Sequence, residues 1–290
     1  MSAIIRPAIV AGHAPFPHTT MPELPEVEIT RRGIAPAVTG QIVTSVVVRN
    51  ARLRWPVPKQ LPAMLMGKAV RQVVRRAKYL LLDLGDGWLI LHLGMSGSLR
   101  LVAPDLPPGG HDHIDIVFGK QALRLRDPRR FGAVLWKSGD VLTHPLLAHL
   151  GMEPLGPEFS GEVFHQASRR RSTAVKQFLM DHTVVVGIGN IYANESLFRA
   201  GISPRTSAGR LSRARYDRLA VEVRRTMEAA IEAGGSSLRD FVHSDGASGY
   251  FQQQYFVYGR DGEPCRVCRQ PIKTIRQGQR STFYCSHCQR

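Results

Sequence analysis

The sequence predicts an α+β protein: an N-terminal β-sandwich domain with flanking helices, then a helical domain, then a C-terminal four-cysteine hairpin. Three observations predict it. Apolar residues alternate with period two through most of residues 41–126. Helical spacing takes over from residue 173. All four cysteines fall between Cys265 and Cys288. A length of 290 residues suits about two domains, and a 43% hydrophobic content supplies sizeable cores.

Residues 1–20 hold a single charged residue, Arg6, and three prolines. They read as a disordered extension or a mis-assigned start. Arg6 and Pro7 interrupt the only apolar run there, so a signal peptide is a poor reading and a cytoplasmic body is expected. From Pro25, the series Val27, Arg31, Ile34, Val38 with Gly40 behind it predicts an amphipathic helix. Residues 41–48, 69–84, 88–101, 113–118 and 122–126 read as strands, with Gly, Asp and Pro between them. Together they suggest a sandwich or flattened barrel, and a first domain over residues 22–151.

Residues 152–171, with Pro154, Gly156, Pro157 and Gly161, read as a linker. Short helices follow at 173–180 and 190–200, around a glycine-containing turn at 185–189. A longer helix starts at Ser212, carries Leu219, Val223, Met227 and Ile231 four apart, and stops at Gly234-Gly235. The helical domain spans residues 172–254 with its polar loop at 244–254, and the cysteine segment spans 255–290.

Charge narrows the function classes. Thirty-nine Lys and Arg against 23 Asp and Glu leave a net charge of +16. Such an excess on a folded protein points to a polyanion, nucleic acid first. No apolar run approaches the ~18 residues of a membrane helix.

Cys265-x2-Cys268 and Cys285-x2-Cys288 are separated by 16 residues. Each pair lets two thiolates reach one ion from a tight turn, and two pairs complete a tetrahedron around structural Zn²⁺. Four thiolates leave no open coordination position. The ion should shape a hairpin whose arginines face phosphates. His111 and His113 could pair on one strand face, but no further ligand cluster accompanies them.

Met21-Pro22-Glu23-Leu24-Pro25-Glu26-Val27-Glu28 can be an ordinary helix start, with prolines and acids where a helix tolerates them. It also resembles the N-terminus of the bacterial formamidopyrimidine-DNA glycosylase family. Further blocks of that family follow in its order: Arg75-Arg-Ala-Lys78-Tyr, His92-Leu-Gly-Met95-Ser-Gly, Asp127-Pro-Arg-Arg-Phe-Gly132, Val186-Gly-Ile-Gly-Asn190-Ile-Tyr-Ala, Ser244-Asp-Gly and the closing cysteine hairpin. The resemblance covers residues 21–290.

The resemblance implies a helix–two-turn–helix fold for the helical domain. It implies a bifunctional DNA glycosylase/AP lyase for oxidised purines, and duplex DNA as the partner of a monomer. Pro22 would be the nucleophile through a free terminal amine, Glu23 the acid, Glu26 its support, Lys78 the lysine at the lesion phosphate, and Arg280 a phosphate-positioning group in δ-elimination. Met95, Arg129 and Phe131 would fill the void left by a flipped base. Asn190, His111 and Arg171 would contact DNA, and the 244–254 loop would close over the base. An amine near its ordinary pKa of about 7.7–8.0 is partly unprotonated in the cytoplasm, which suits a nucleophile. In this sequence Pro22 is preceded by 21 residues, a departure from the family pattern. It gives weight to one rival, a damaged-DNA-binding protein without chemistry. A second rival is the endonuclease VIII branch, which shares the fold and prefers oxidised pyrimidines but usually opens Pro-Glu-Gly-Pro, where this chain has Pro22-Glu-Leu-Pro.

Overall fold

Helix α1 (Leu24–Val38) begins with Pro25 in its opening turn, where a missing N–H is tolerated, and with the Glu26 carboxylate accepting the Glu23 N–H at 2.9 Å. Val27, Ile34 and Val38 enter one apolar core and Leu24 enters another. Burying a leucine is worth about 2 kcal/mol, so α1 pins the two halves together from its first residue. The computed structural model describes residues 21–235 and 255–290. The extension read at 1–20 and the loop at 244–254 lie outside the described residues.

The first half is a sandwich of two four-stranded antiparallel sheets. One has the order β1 (Ser45–Val48), β6 (Asp112–Phe118), β7 (Gln121–Arg126), β5 (Ser98–Val102). The other has the order β2 (Gln72–Arg76), β3 (Tyr79–Asp83), β4 (Gly87–His92), β8 (Ala133–Ser138). Leu80, Leu82, Leu89 and Leu91 from one sheet meet Leu99, Ile114, Ile116 and Leu123 from the other. A short helix, α2 (Leu61–Leu65), closes one side with Leu61 and Leu65.

Three readings need correction here. The run 69–84 is a hairpin of two strands: Arg76 pairs with Tyr79, and Ala77-Lys78 is the turn. The run 88–101 is two strands that belong to different sheets, turning at Gly94 (φ +67°). His111 and His113 do not share a face. β6 starts at Asp112 with a register shift before Ile114, leaving His111 exposed and His113 buried.

The second half holds α3 (Gly161–Ser168), α4 (Val175–Leu179), α5 (Asn190–Arg199) and α6 (Arg213–Glu232). α3 lies inside the stretch read as linker. The Ser160 hydroxyl caps it by accepting the Val163 N–H at 3.3 Å. Its Phe164 packs between Phe178 and Tyr216, with ring centroids 5.1 Å away in each case. The hairpin β9 (Lys273–Gln277) and β10 (Arg280–Tyr284) contributes Ile272, Phe283, Cys265 and Cys285 to the same core. That hairpin is therefore built onto the helices. Among the described residues no helix is long and apolar enough to cross a membrane.

Candidate active site

A cavity of about 720 Å³ opens where the start of α1, the β2–β3 turn, the 187–189 turn and the tip of the β9–β10 hairpin meet. Glu23 sits at its base, 3% exposed. Its carboxylate accepts the Gly189 N–H at 2.7 Å and the Ile191 N–H at 2.9 Å, so it faces the positive end of α5. Two glycines permit this approach. A Cβ on Gly189 would overlap the Glu23 carboxyl group, and one on Gly187 (φ +80°) would lie 2.6 Å from the Leu24 side chain. Burial pushes the Glu23 carboxyl up to about 7, opposed chiefly by the nearby Lys78 cation and reinforced by Glu26. Glu26 is itself buried; one oxygen accepts the Glu23 N–H and the other accepts the Tyr192 hydroxyl at 2.7 Å. Pro22 is buried beside Glu23, and Met21 lines the cavity.

Lys78 faces this group from the β2–β3 turn. The turn puts Ala77 at φ +54°, a conformation that non-glycine residues rarely adopt. Glu153 holds it there, accepting the Ala77 N–H at 2.6 Å, Arg75 at 2.7 Å and Arg76 at 3.1 Å. Burial lowers the Lys78 pKa; Glu23 opposes that shift and Arg280 adds to it. His92, at the end of β4, accepts the Gly94 N–H on Nδ1 at 3.0 Å. Burial, with Lys78 and Arg54 nearby, pushes its pKa down to about 4. The ring is neutral at pH 7, with its proton on Nε2.

Arg280 stands at the exposed tip of the zinc-ribbon-like hairpin, and the helices hold that tip in place. Lys176 donates to the Ser281 carbonyl at 2.9 Å and to the Thr282 hydroxyl at 2.7 Å. Asn190 donates to the Ser281 carbonyl at 3.1 Å, and Asn194 accepts the Phe283 N–H at 2.8 Å. Lys176 is 1% exposed, and burial pushes its pKa down to about 7, with Arg280 nearby. Lys78, Asn190, Arg280 and Tyr258 all line the cavity. Lys78 and Arg280 thus give the cavity two basic side chains that face the same space, an arrangement that an anion between them would relieve.

Met95, Arg129 and Phe131 lie on two adjoining loops, after β4 and after β7. Phe131 is 41% exposed, and the Arg129 guanidinium lies 4.9 Å from its ring centre. Both side chains are therefore outside the core. His111 and Arg171 are exposed and do not line the cavity.

The four cysteine ligand atoms lie within 4.8 Å of one another, with Sγ–Sγ distances of 3.4 Å for Cys268–Cys285 and 3.9 Å for Cys265–Cys288. A tetrahedron with metal–sulfur bonds of about 2.3 Å has edges of about 3.8 Å, so the set fits a structural metal. Main-chain N–H groups of Val267 and Cys288 point at sulfurs at 3.5 Å, as thiolates favour.

Sequence reasoning did not single out His92, Lys176 or Tyr258. A lysine in the apolar segment Val175-Lys176-Gln177-Phe178-Leu179 was the available signal, because helix spacing puts it on the buried side. His92 gave none beyond its position just before Gly94.

Three family models match the chain. The formamidopyrimidine-DNA glycosylase N-terminal domain matches residues 21–134, the formamidopyrimidine-DNA glycosylase H2TH domain residues 150–242, and the zinc finger found in FPG and IleRS residues 262–290. Proteins named formamidopyrimidine-DNA glycosylase from Paraburkholderia phymatum and Aromatoleum aromaticum are each 60% identical, over 93% of this chain and 100% of theirs. Among solved structures, Lactococcus lactis Fpg in complex with abasic-site DNA matches with a TM-score of 0.85 and 35% identity, over 92% of this chain and 99% of that one. MutM (Fpg) from Thermus thermophilus matches with a TM-score of 0.84 and 37% identity, over 92% and 98%.

Proposed function

The chain belongs to the formamidopyrimidine-DNA glycosylase family, and from that premise we propose that it excises oxidised purines from duplex DNA in base excision repair and then cuts the strand as an AP lyase. Its substrates are 8-oxoguanine and ring-opened formamidopyrimidines, and the first step leaves an abasic site. One observation carries the reading: a buried carboxyl with a pKa of about 7, Glu23, adjoins Pro22 at the floor of a cavity with a cationic wall.

The secondary amine of Pro22 bonds to the sugar C1′ as the bond from C1′ to the base breaks. Glu23 delivers its proton to the ring oxygen or the departing base, a task that favours a pKa near the working pH. The amine then loses its proton and the C1′–O4′ bond breaks, the ring oxygen taking up a proton as the sugar opens; the iminium so formed has no N–H left to lose and stays cationic. It acidifies the C2′ proton, whose loss breaks the C3′–O bond and releases the 3′ phosphate. Lys78 assists at the lesion phosphate. Arg280 positions the second phosphate for δ-elimination, since a guanidinium is a poor proton donor. Met95, Arg129 and Phe131 occupy the space of the flipped base, while Asn190 holds flanking phosphates and His111 and Arg171 make further DNA contacts.

In this reading residues 22–151 form the catalytic domain, 152–171 the connection, 172–254 the helix–two-turn–helix domain and 255–290 the zinc finger. Cys265, Cys268, Cys285 and Cys288 hold one Zn²⁺, which keeps the Arg280 hairpin in shape and takes no part in the chemistry. The protein works as a monomer on nucleoid DNA in the cytoplasm.

The nucleophile requires a free amine, and in the chain as written the Pro22 nitrogen is an amide whose lone pair is delocalised. The active protein therefore begins at Pro22, after translation from Met21 and removal of that methionine. The N-terminal family match starts at residue 21, which supports this start. Two proteins test it: one starting at Met21, and one carrying residues 1–20 with processing blocked. Borohydride should trap the first, and not the second, on duplex DNA with 8-oxoguanine opposite cytosine. Equal trapping, with the extension intact by mass, would move the nucleophile to a lysine. A preference for thymine glycol would replace the purine reading.

A further inference from the structure

We propose that Asp127 and Ser96 are a positioning pair that presets Met95, Arg129 and Phe131 as one rigid probe of stacked duplex DNA. The proposal rests on the void-filling reading above and adds the residues that act behind it.

Asp127 follows β7 and is fully buried. Its two carboxylate oxygens serve two different loops. One accepts the Ser96 hydroxyl at 2.8 Å, from the loop that carries Met95. The other accepts the Gly132 N–H at 2.7 Å, next to Phe131. Ser96 closes the circuit, because its oxygen also accepts the Arg129 N–H at 3.1 Å. The loops touch along their main chains, since a Cβ on Gly94 would overlap the Phe131 carbonyl group. The backbone of Asp127 fixes the assembly to β6: its N–H donates to the His111 carbonyl at 3.0 Å, and its carbonyl oxygen lies 2.8 Å from His113 Nε2. Arg130, between the two probing residues, is held at φ +57° and donates its N–H to the Asp127 carbonyl at 3.2 Å.

The chemistry explains the residue types. Two main-chain or hydroxyl donors from separate loops need two acceptors on one short, buried group, and a carboxylate supplies both with charge-assisted bonds. A serine oxygen can donate to the carboxylate and accept a main-chain N–H together. Neither side chain faces the cavity where the sugar chemistry occurs. Their effect falls on the cost of ordering Phe131 and Arg129 before insertion, a cost that preorganisation lowers.

The test uses the Met21-start protein with Ser96→Ala, Ser96→Thr and Asp127→Asn, each checked by thermal melting. Two rates are measured on duplex DNA: excision of 8-oxoguanine, and cleavage at a preformed abasic site. A 2-aminopurine beside the lesion reports unstacking on mixing. The proposal expects Ser96→Ala and Asp127→Asn to lower the ratio of excision to abasic cleavage about tenfold and to slow the unstacking signal, with Ser96→Thr restoring both. If Ser96→Ala leaves the ratio and the unstacking rate at wild-type values, or if both substrates lose equally, the pair has no positioning role. If Asp127→Asn fails to fold, Ser96→Ala and Ser96→Thr decide alone. Failure of the unsubstituted protein to be trapped by borohydride on abasic DNA would instead overturn the glycosylase reading itself.

Discussion

The cavity and the two probing loops stand close together yet are built on opposite physical terms. In the cavity the ionisable groups are buried, and burial displaces them: Glu23 up to about 7, His92 down to about 4, Lys176 down to about 7. At the loops Arg129 and Phe131 face solvent, and order comes from a buried carboxylate bonded to main chain. The contrast teaches that proton transfer depends on desolvated charge, whereas probing a duplex depends on a scaffold that already has its final shape. Substitutions in the two regions should therefore fail in different ways.

The largest expected effect is on the cavity side. Glu23→Gln removes the proton donor but no phosphate contact, so base excision should fall at least a hundredfold, while affinity for an abasic-site analogue in a gel-shift measurement stays near wild type. Lost affinity with excision retained would erase the distinction between the regions. A smaller effect is expected at the loops. Phe131→Ala should slow excision of a stacked lesion about tenfold more than cleavage at a preformed abasic site, as unstacking costs a few kcal/mol. Equal losses, with a lowered melting temperature, would make Phe131 a packing residue.

The smallest effect concerns stability. The Glu23 pKa is raised in the folded state, so the fold binds that proton more tightly than the unfolded chain does. Its stabilising contribution is complete below pH ~4.5 and is lost as pH rises through about 7. Between pH 5 and 8 the melting temperature should fall by several degrees more in the wild type than in Glu23→Gln, at roughly 2–4 °C per kcal/mol of lost stability. Parallel curves would mean that Glu23 titrates as an ordinary carboxylate.

The cysteine cluster, the long helix at Ser212 and most strands were readable along the chain, because each depends on spacing within a few residues. The β2–β3 turn was not. Residues 75–78 contain no glycine, proline or asparagine, and Ala77 takes its left-handed conformation only because Glu153, 76 residues away, accepts its N–H. The helix at 161–168 was hidden by Pro154, Gly156 and Pro157 before it and Gly161 at its start, although Ser160 caps it and Phe164 anchors it.

By itself the sequence determined the order of the parts, the metal-ligand spacing and the family blocks, including Pro22, Glu23, Lys78, Asn190 and Arg280. Periodicity, turn chemistry and ligand spacing are local properties that survive in one dimension. Only the tertiary structure decided what those residues are chemically. A glutamate just ahead of a helix start is an ordinary carboxylate until burial between α1 and the start of α5 takes it out of water and brings two N–H groups, with the lysine of the β2–β3 turn, to its side. Lys176 is an unremarked residue until the hairpin covers it. Desolvation depends on every atom that happens to lie nearby, and those atoms come from distant parts of the chain.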